Sequence, residues 1–358
     1  IQLQGRSSLA SLSLINRLME KYLYILLYCF SLSVGFTNDY PEKKYHNGTR
    51  SSGKILGRDD RKYADQSGNR VLCRIYNHGS IGDQSSSFSG VYPIGSGHAY
   101  IWEFSPIIAA SVVDTNGNRK HIVSDGISGL VDASPEGTPW SFEPLAGYAN
   151  PNQEYLAMSD NSSSWPSSWP NRDEDWDGEW NGQYGKYVRA DQESYFVMDD
   201  FYNSEFEFWP DENDTPETTT EDPDDHRRGL GIGLEVRGYQ WNHPAAEDII
   251  IVTYWITNVG SNVLDSVVFG MYGDSDVGGP SSFSDDDAWF DIENDMVYQW
   301  DHDNWSTSYG GFRPAYFGWS FLESPGNPHD GIDNDGDGMI DESQFDGIDN
   351  DGDWDPER

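Results

Sequence analysis

The sequence predicts an all-β protein, and three observations carry that prediction. Apolar runs are short and separated by clusters of Gly, Asn, Asp and Pro; several of them alternate apolar with polar residues; and no long segment repeats its apolar residues at helical spacing. With 358 residues, 36% apolar and 14% aromatic, the chain can build packed cores and is long enough for two domains. The expected architecture is two β-sandwich-like domains in tandem, with Asp-rich calcium loops appended at the C-terminal end.

Residues 1–35 read as an upstream extension followed by an export signal. Met19-Glu-Lys21 precedes the apolar stretch Tyr22–Phe30, which runs on to about Phe36. The stretch is short of the roughly 20 residues that a membrane span needs, so no stable span is expected after the signal is removed. Cleavage after Gly35, with Ser33 at the other small position, is the natural reading, and an uncleaved N-terminal anchor is its competitor. Of the two cysteines, removal of the signal would leave only Cys73. An exported domain without a disulfide depends on its core and on metals. Cys73 lies in Arg70–Tyr76, which alternates like a strand, and is read as a buried structural thiol.

Residues 36–69 are polar and read as a flexible lead-in, and 70–210 as the first β-rich domain. Ala99–Phe104, Ile107–Val113 and Ser194–Met198 are its clearest strands. Asp114-Thr-Asn-Gly-Asn118 is a hairpin turn, its Asn-Gly pair supplying positive backbone angles. Residues 211–228 open with eight acids in fifteen residues, Pro216 and Pro223 among them, and read as an acidic linker or loop. Residues 229–325 form the second sandwich: Gly229–Val236 alternates, and Ile249–Thr257 is apolar on both faces like a central strand. Asn258–Asn262 then turns the chain into Val263–Tyr272, predicting a hairpin.

Residues 326–358 carry an acidic segment written twice, sixteen residues apart: Asp330-Gly-Ile-Asp-Asn-Asp-Gly-Asp337 and Asp346-Gly-Ile-Asp-Asn-Asp-Gly-Asp353. In the first copy, Asp333, Asp335 and Asp337 alternate with turn-forming residues, so a tight loop can aim three carboxylates at one hard cation. Gly338 supplies the turn, Met339 a backbone carbonyl, and Asp341 or Glu342 closes the sphere. Gln344 stands where a helix-loop-helix calcium hand needs a bidentate Glu, which places the loop outside that fold. The second copy offers Asp349, Asp351, Asp353 and Glu357, with Trp354 in place of the Gly. This spacing resembles thrombospondin type 3 repeats and also the Asp-rich metal-binding motif of MopE-type bacterial surface proteins. Gly336 replaces the Cys of that motif, which favours oxygen-only calcium chemistry over copper. The middle region, from Tyr254-Trp-Ile-Thr-Asn-Val-Gly260 through Tyr272-Gly-Asp-Ser-Asp-Val-Gly278 to Gly318–Pro325, resembles large exported proteins of marine Gram-negative bacteria. That likeness implies a secreted or cell-surface product and names no activity.

Charge narrows the partners. Twenty-two basic against 61 acidic residues give a net charge of −39, which repels nucleic acid and anionic membranes and attracts divalent cations. Asp173, Asp175 and Asp177, followed by Gly178 and flanked by Trp176 and Trp180, form a third candidate metal loop. A sugar could also use it by stacking on indole. Asp274, Asp276, Asp285–Asp287, Asp291 and Glu293 offer a calcium clasp or a pair of catalytic carboxylates. Eight scattered histidines show no zinc spacing, and neither a nucleophile elbow nor a phosphate loop is present. The expected function is that of an exported, non-enzymatic, calcium-binding surface, adhesion or matrix protein. Its alternative is a carbohydrate-binding module or a glycoside hydrolase fragment.

Overall fold

The computed structural model describes residues 60–323, apart from 83–88, 115, 128–132, 136–139, 217, 219–225, 292–293 and 295, together with the backbone of 27–36. Both Asp-rich repeats, and with them Asp333, Asp335, Asp337, Met339, Asp341, Glu342, Asp349, Asp351, Asp353 and Glu357, lie outside the described residues. The rest is all β, as the turn-punctuated sequence predicts. Its strands are β1 (Leu27–Phe36), β2 (Tyr63–Gln66), β3 (Cys73–Tyr76), β4 (Ile101–Val113), β5 (Arg119–Asp125), β6 (Glu143–Pro144), β7 (Ala157–Met158), β8 (Gln192–Asp199), β9 (Ile232–Gln240), β10 (Ile249–Asn258), β11 (Asp265–Ser275), β12 (Asp286–Asp291), β13 (Met296–Asp301) and β14 (Phe317–Glu323).

A nine-stranded sheet runs β12-β13-β14-β1-β10-β9-β8-β6, with β7 also on β8; a second sheet runs β11-β4-β5, and β2 pairs with β3. Strands on either side of residues 211–228 share both larger sheets: β8 pairs with β9, and β4 with β11. The two segments expected as tandem domains therefore interleave. One apolar core joins them, with Phe104 and Ile108 of β4, Leu234 and Val236 of β9, Val252 and Tyr254 of β10 and Phe317 of β14 all buried.

The turn at Asp114 forms as its residues dictate. Asp114 Oδ1 accepts from the Asn116 and Asn118 N–H groups at 2.9 and 2.8 Å, and Gly117 takes φ +80°. β4 and β5 pair from Val113↔Arg119 to Ile107↔Asp125. The two apolar runs expected as separate strands are one, continuous through Pro106, which lies beyond the last β5 pair. The hairpin expected at Asn258–Asn262 is corrected. Asn258 does build the turn, its side chain bonding Asn262 O at 2.8 Å and Gly260 N at 3.0 Å. But β10 pairs with β9 and β1, while β11 crosses to β4. A strand apolar on both faces needs a neighbour at each edge, and β10 finds them elsewhere in the chain.

β1, part of the apolar run read as an export signal, runs parallel to both β10 and β14, whereas the other pairings of this sheet are antiparallel. Cys73 is fully buried, and burial pushes its thiol up to about 12. Asp200 ties the sheets together: its carboxylate accepts from Ser124 Oγ, Leu230 N and Ile232 N at 2.8, 2.6 and 2.9 Å. A Cβ at Gly229 (φ +64°) would stand 2.5 Å from Asp200 Oδ2, so this close approach requires glycine.

Candidate metal centre

The acids that the fold gathers lie where β11 and β13 end and β12 begins. After β11 the chain turns through Gly278 and Gly279, at φ +87° and +85°, which bring Asp276 and the short 3₁₀ turn Phe283–Asp285 alongside β12. β12 and β13 then pair antiparallel with Asp286 opposite Asp301. Like charges in that position repel, so a sheet that holds them needs compensation nearby.

Compensation is partial. Asp301 is 2% exposed and accepts from Trp305 N at 2.7 Å and Ser282 Oγ at 3.1 Å. Asp286 Oδ2 accepts from Val277 N at 2.9 Å, while its Oδ1 is buried without a hydrogen-bond partner. Burial, first of all, pushes the Asp286 carboxyl up to about 7; the Val277 N–H opposes this, and the charges of Asp301, Asp276 and Asp285 add to it. Asp301 is also raised, chiefly by burial. Asp276 is 8% exposed beside them. One oxygen each from Asp285, Asp301 and Asp303 lie within 4.8 Å of one another. Among the described residues, this is the group of acids, histidines and cysteines close enough to hold an ion together. Its donors are all carboxylate oxygens, the set that suits a hard divalent cation. The neighbouring His302 is engaged with Asp287, Nδ1 to Oδ2 at 2.7 Å, and that bond raises the imidazole pKa.

Asp276, Asp285 and Asp286 belong to the cluster that sequence reading singled out. Asp301 and Asp303 were missed. Their signal is Asp301-His-Asp303 at the end of an alternating run, an Asp-x-Asp that only the β12–β13 pairing brings back to Asp285. Asp274 remains on β11, with its carboxyl raised mainly by burial, and Asp291 ends β12 bonded to Asn294 at 2.8 Å. Glu293 lies outside the described residues.

The loop at Asp173–Trp180 has a different character. Glu174–Trp176 form a 3₁₀ turn with Asp173 before it and Asp177 after it, and Asp173, Asp175 and Asp177 are all exposed. The Lys186 ammonium binds both the Asp175 carboxylate, at 3.0 Å, and its carbonyl. Trp176 lies under the Arg172 guanidinium at 4.4 Å, and Trp180 is buried with Nε1 donating to Glu193 at 2.7 Å. Trp180 joins Trp169, Tyr148 and Tyr195 in a second small core, where the buried Arg237 guanidinium lies 3.9 Å from the Tyr195 ring centre. These indoles hold the loop to the sheet. A cleft of about 260 Å³ opens elsewhere, between Lys62, Leu145, Tyr148 and Pro166, away from the acidic group.

Fold and site together define an all-β protein with an oxygen-only acidic centre at one end of its large sheet. Comparison with family models, curated proteins and solved structures returned no match. Among the described residues no helix is long and apolar enough to cross a membrane.

Proposed function

We propose that the protein binds calcium and serves, without chemistry of its own, as an exported surface, adhesion or matrix component. The observation that carries this reading is the group Asp285, Asp301 and Asp303, backed by the buried and unpartnered Asp286 Oδ1. Three carboxylates so close repel unless protonated or bridged, and a divalent cation bridges them while the rest of its six to eight oxygens come from carbonyls and water. The cation then pins the 3₁₀ turn that leads into β12 to the end of β13, so its effect is mechanical. The C-terminal repeats, with their three alternating Asp, extend the same chemistry along a spacer. Such loops stiffen when calcium removes the repulsion among Asp333, Asp335, Asp337 and Asp341.

Calcium titration by calorimetry on the full chain tests this, with an expected Kd of roughly 10⁻⁴ to 10⁻³ M as for extracellular modules. Asp285→Asn with Asp303→Asn should remove one class of sites, and Asp333→Asn with Asp335→Asn another. If both double variants match the parent in heat and stoichiometry, the reading fails.

A further inference from the structure

We propose that the outward face of β12, β13 and β14 is a binding platform for an uncharged polysaccharide. The strand register builds this face. Trp289 of β12 stands opposite Tyr298 of β13, and Gln299↔Phe317 sets Tyr316 beside Trp300. Because side chains alternate along a strand, Phe317 and Trp319 turn to the other face and pack on Phe104, with ring centres at 5.3 and 4.8 Å. The remaining rings make a continuous strip: Tyr298 to Trp300 at 5.6 Å, Tyr298 to Tyr316 at 6.1 Å, and Trp300 stacked on Tyr316 at 5.8 Å with 27° between planes. Opposite Tyr298, Gly318 presents no side chain, which keeps the strip flat. Trp289 is 62% exposed, and Tyr298, Trp300 and Tyr316 are half-buried. An aromatic strip about 10 Å wide across three strands, with one ring exposed and three half-buried, marks a surface with a partner.

Charge selects that partner. Beside Trp300 the platform ends at Asp287, with the exposed Asp285 and Asp303 beyond it, on a chain whose net charge is −39. A second copy, a nucleic acid or an anionic membrane would bring like charge to this rim. Carboxylates only accept hydrogen bonds, so the ligand must be rich in donors and must also own an apolar face for the rings. A hydroxylated sugar polymer has both. This argument stands on the rings and their rim and does not rest on the calcium reading.

Native affinity electrophoresis in buffer without added calcium tests it, with hydroxyethylcellulose, laminarin, xyloglucan and galactomannan as neutral probes and alginate as the anionic one. At least one neutral glycan should retard the protein and alginate should not. Trp289→Ala and Trp300→Phe should each weaken retention at least about tenfold, while Trp102→Ala, at an exposed indole on β4, should leave it unchanged. Trp289 is exposed enough that its loss leaves the core intact, and circular dichroism checks this. The proposal is overturned if a folded protein ignores all four neutral glycans, if it binds alginate alone, or if both platform variants are retarded as strongly as the parent.

Discussion

At the residue scale, Asp200 is a buried carboxylate bonded to both larger sheets, through Ser124 of β5 and Ile232 of β9. Burial pushes its carboxyl up to about 6, against the opposing pull of Arg227, Ser124 and the Ile232 N–H, with Asp199 adding to the rise. In the unfolded chain the group sits near 3.9, so the native state holds its proton more tightly. The stability contributed by that proton is complete below about pH 4 and is lost as pH rises through 6. Asp200→Asn removes the charge but supplies one acceptor where Leu230 N and Ile232 N each need one. We expect a deficit of about 1–3 kcal/mol that narrows between pH 5 and pH 8, as read from urea unfolding. An equal deficit at both pH values would show that the buried charge contributes nothing. Gly117 makes a simpler case. At φ +80°, Gly117→Ala should cost about 1–2 kcal/mol by the same measurement.

At the scale of elements, strands and turns were legible because their causes are local. The Asn-Gly turn after Val113, the doubly apolar β10 and the buried alternation around Cys73 each follow from residues a few positions apart. Pairing was not legible, because a ladder joins backbone groups that look alike in every strand. Nothing in Asn258–Asn262 tells the chain to leave its sheet, so β11 was assigned to β10 when it pairs with β4. The acidic centre divides in the same way. Asp276, Asp285 and Asp286 fall within one short stretch, whereas Asp301 and Asp303 join them only through the register of β12 on β13. The Trp loop at 173–180 illustrates the reverse error of emphasis. Its indoles looked available for stacking, yet Trp180 is core and Trp176 lies half-buried under Arg172, while Trp289 on β12 is exposed. β1 yields the sharpest prediction at this scale, since it lies between β10 and β14 along most of its length. A chain beginning at residue 37 would leave both edges unpaired, and at roughly 1 kcal/mol per lost hydrogen bond it should unfold several kcal/mol more easily or associate through the open ladder. Urea unfolding and light scattering check this; unchanged stability as a monomer would mean that β10 and β14 close on each other, the outcome that cleavage after Gly35 requires, whereas a large loss favours the uncleaved N-terminal anchor.

For the whole molecule, the governing quantity is the charge of −39, which opposes compaction at any pH where the carboxylates are ionised. Monovalent salt relieves such repulsion only by screening, which acts on distant exposed pairs and hardly on Asp301 or Asp276, both buried. A bound divalent cation acts at the cluster itself and, by linkage, stabilises the folded form by about 2.7 kcal/mol when present at 100 times its Kd. Calcium should therefore raise the thermal midpoint more than sodium chloride of equal ionic strength. Asp301→Asn should erase most of that calcium-specific increment, because it removes the buried ligand that β12 and β13 hold in common. Asp333→Asn with Asp335→Asn should lower the number of calcium ions bound in equilibrium dialysis while leaving the midpoint of the β core where it was. If sodium chloride and calcium shift the midpoint equally at matched ionic strength, the cluster is a screened acidic surface, and the mechanical role assigned to it has no basis.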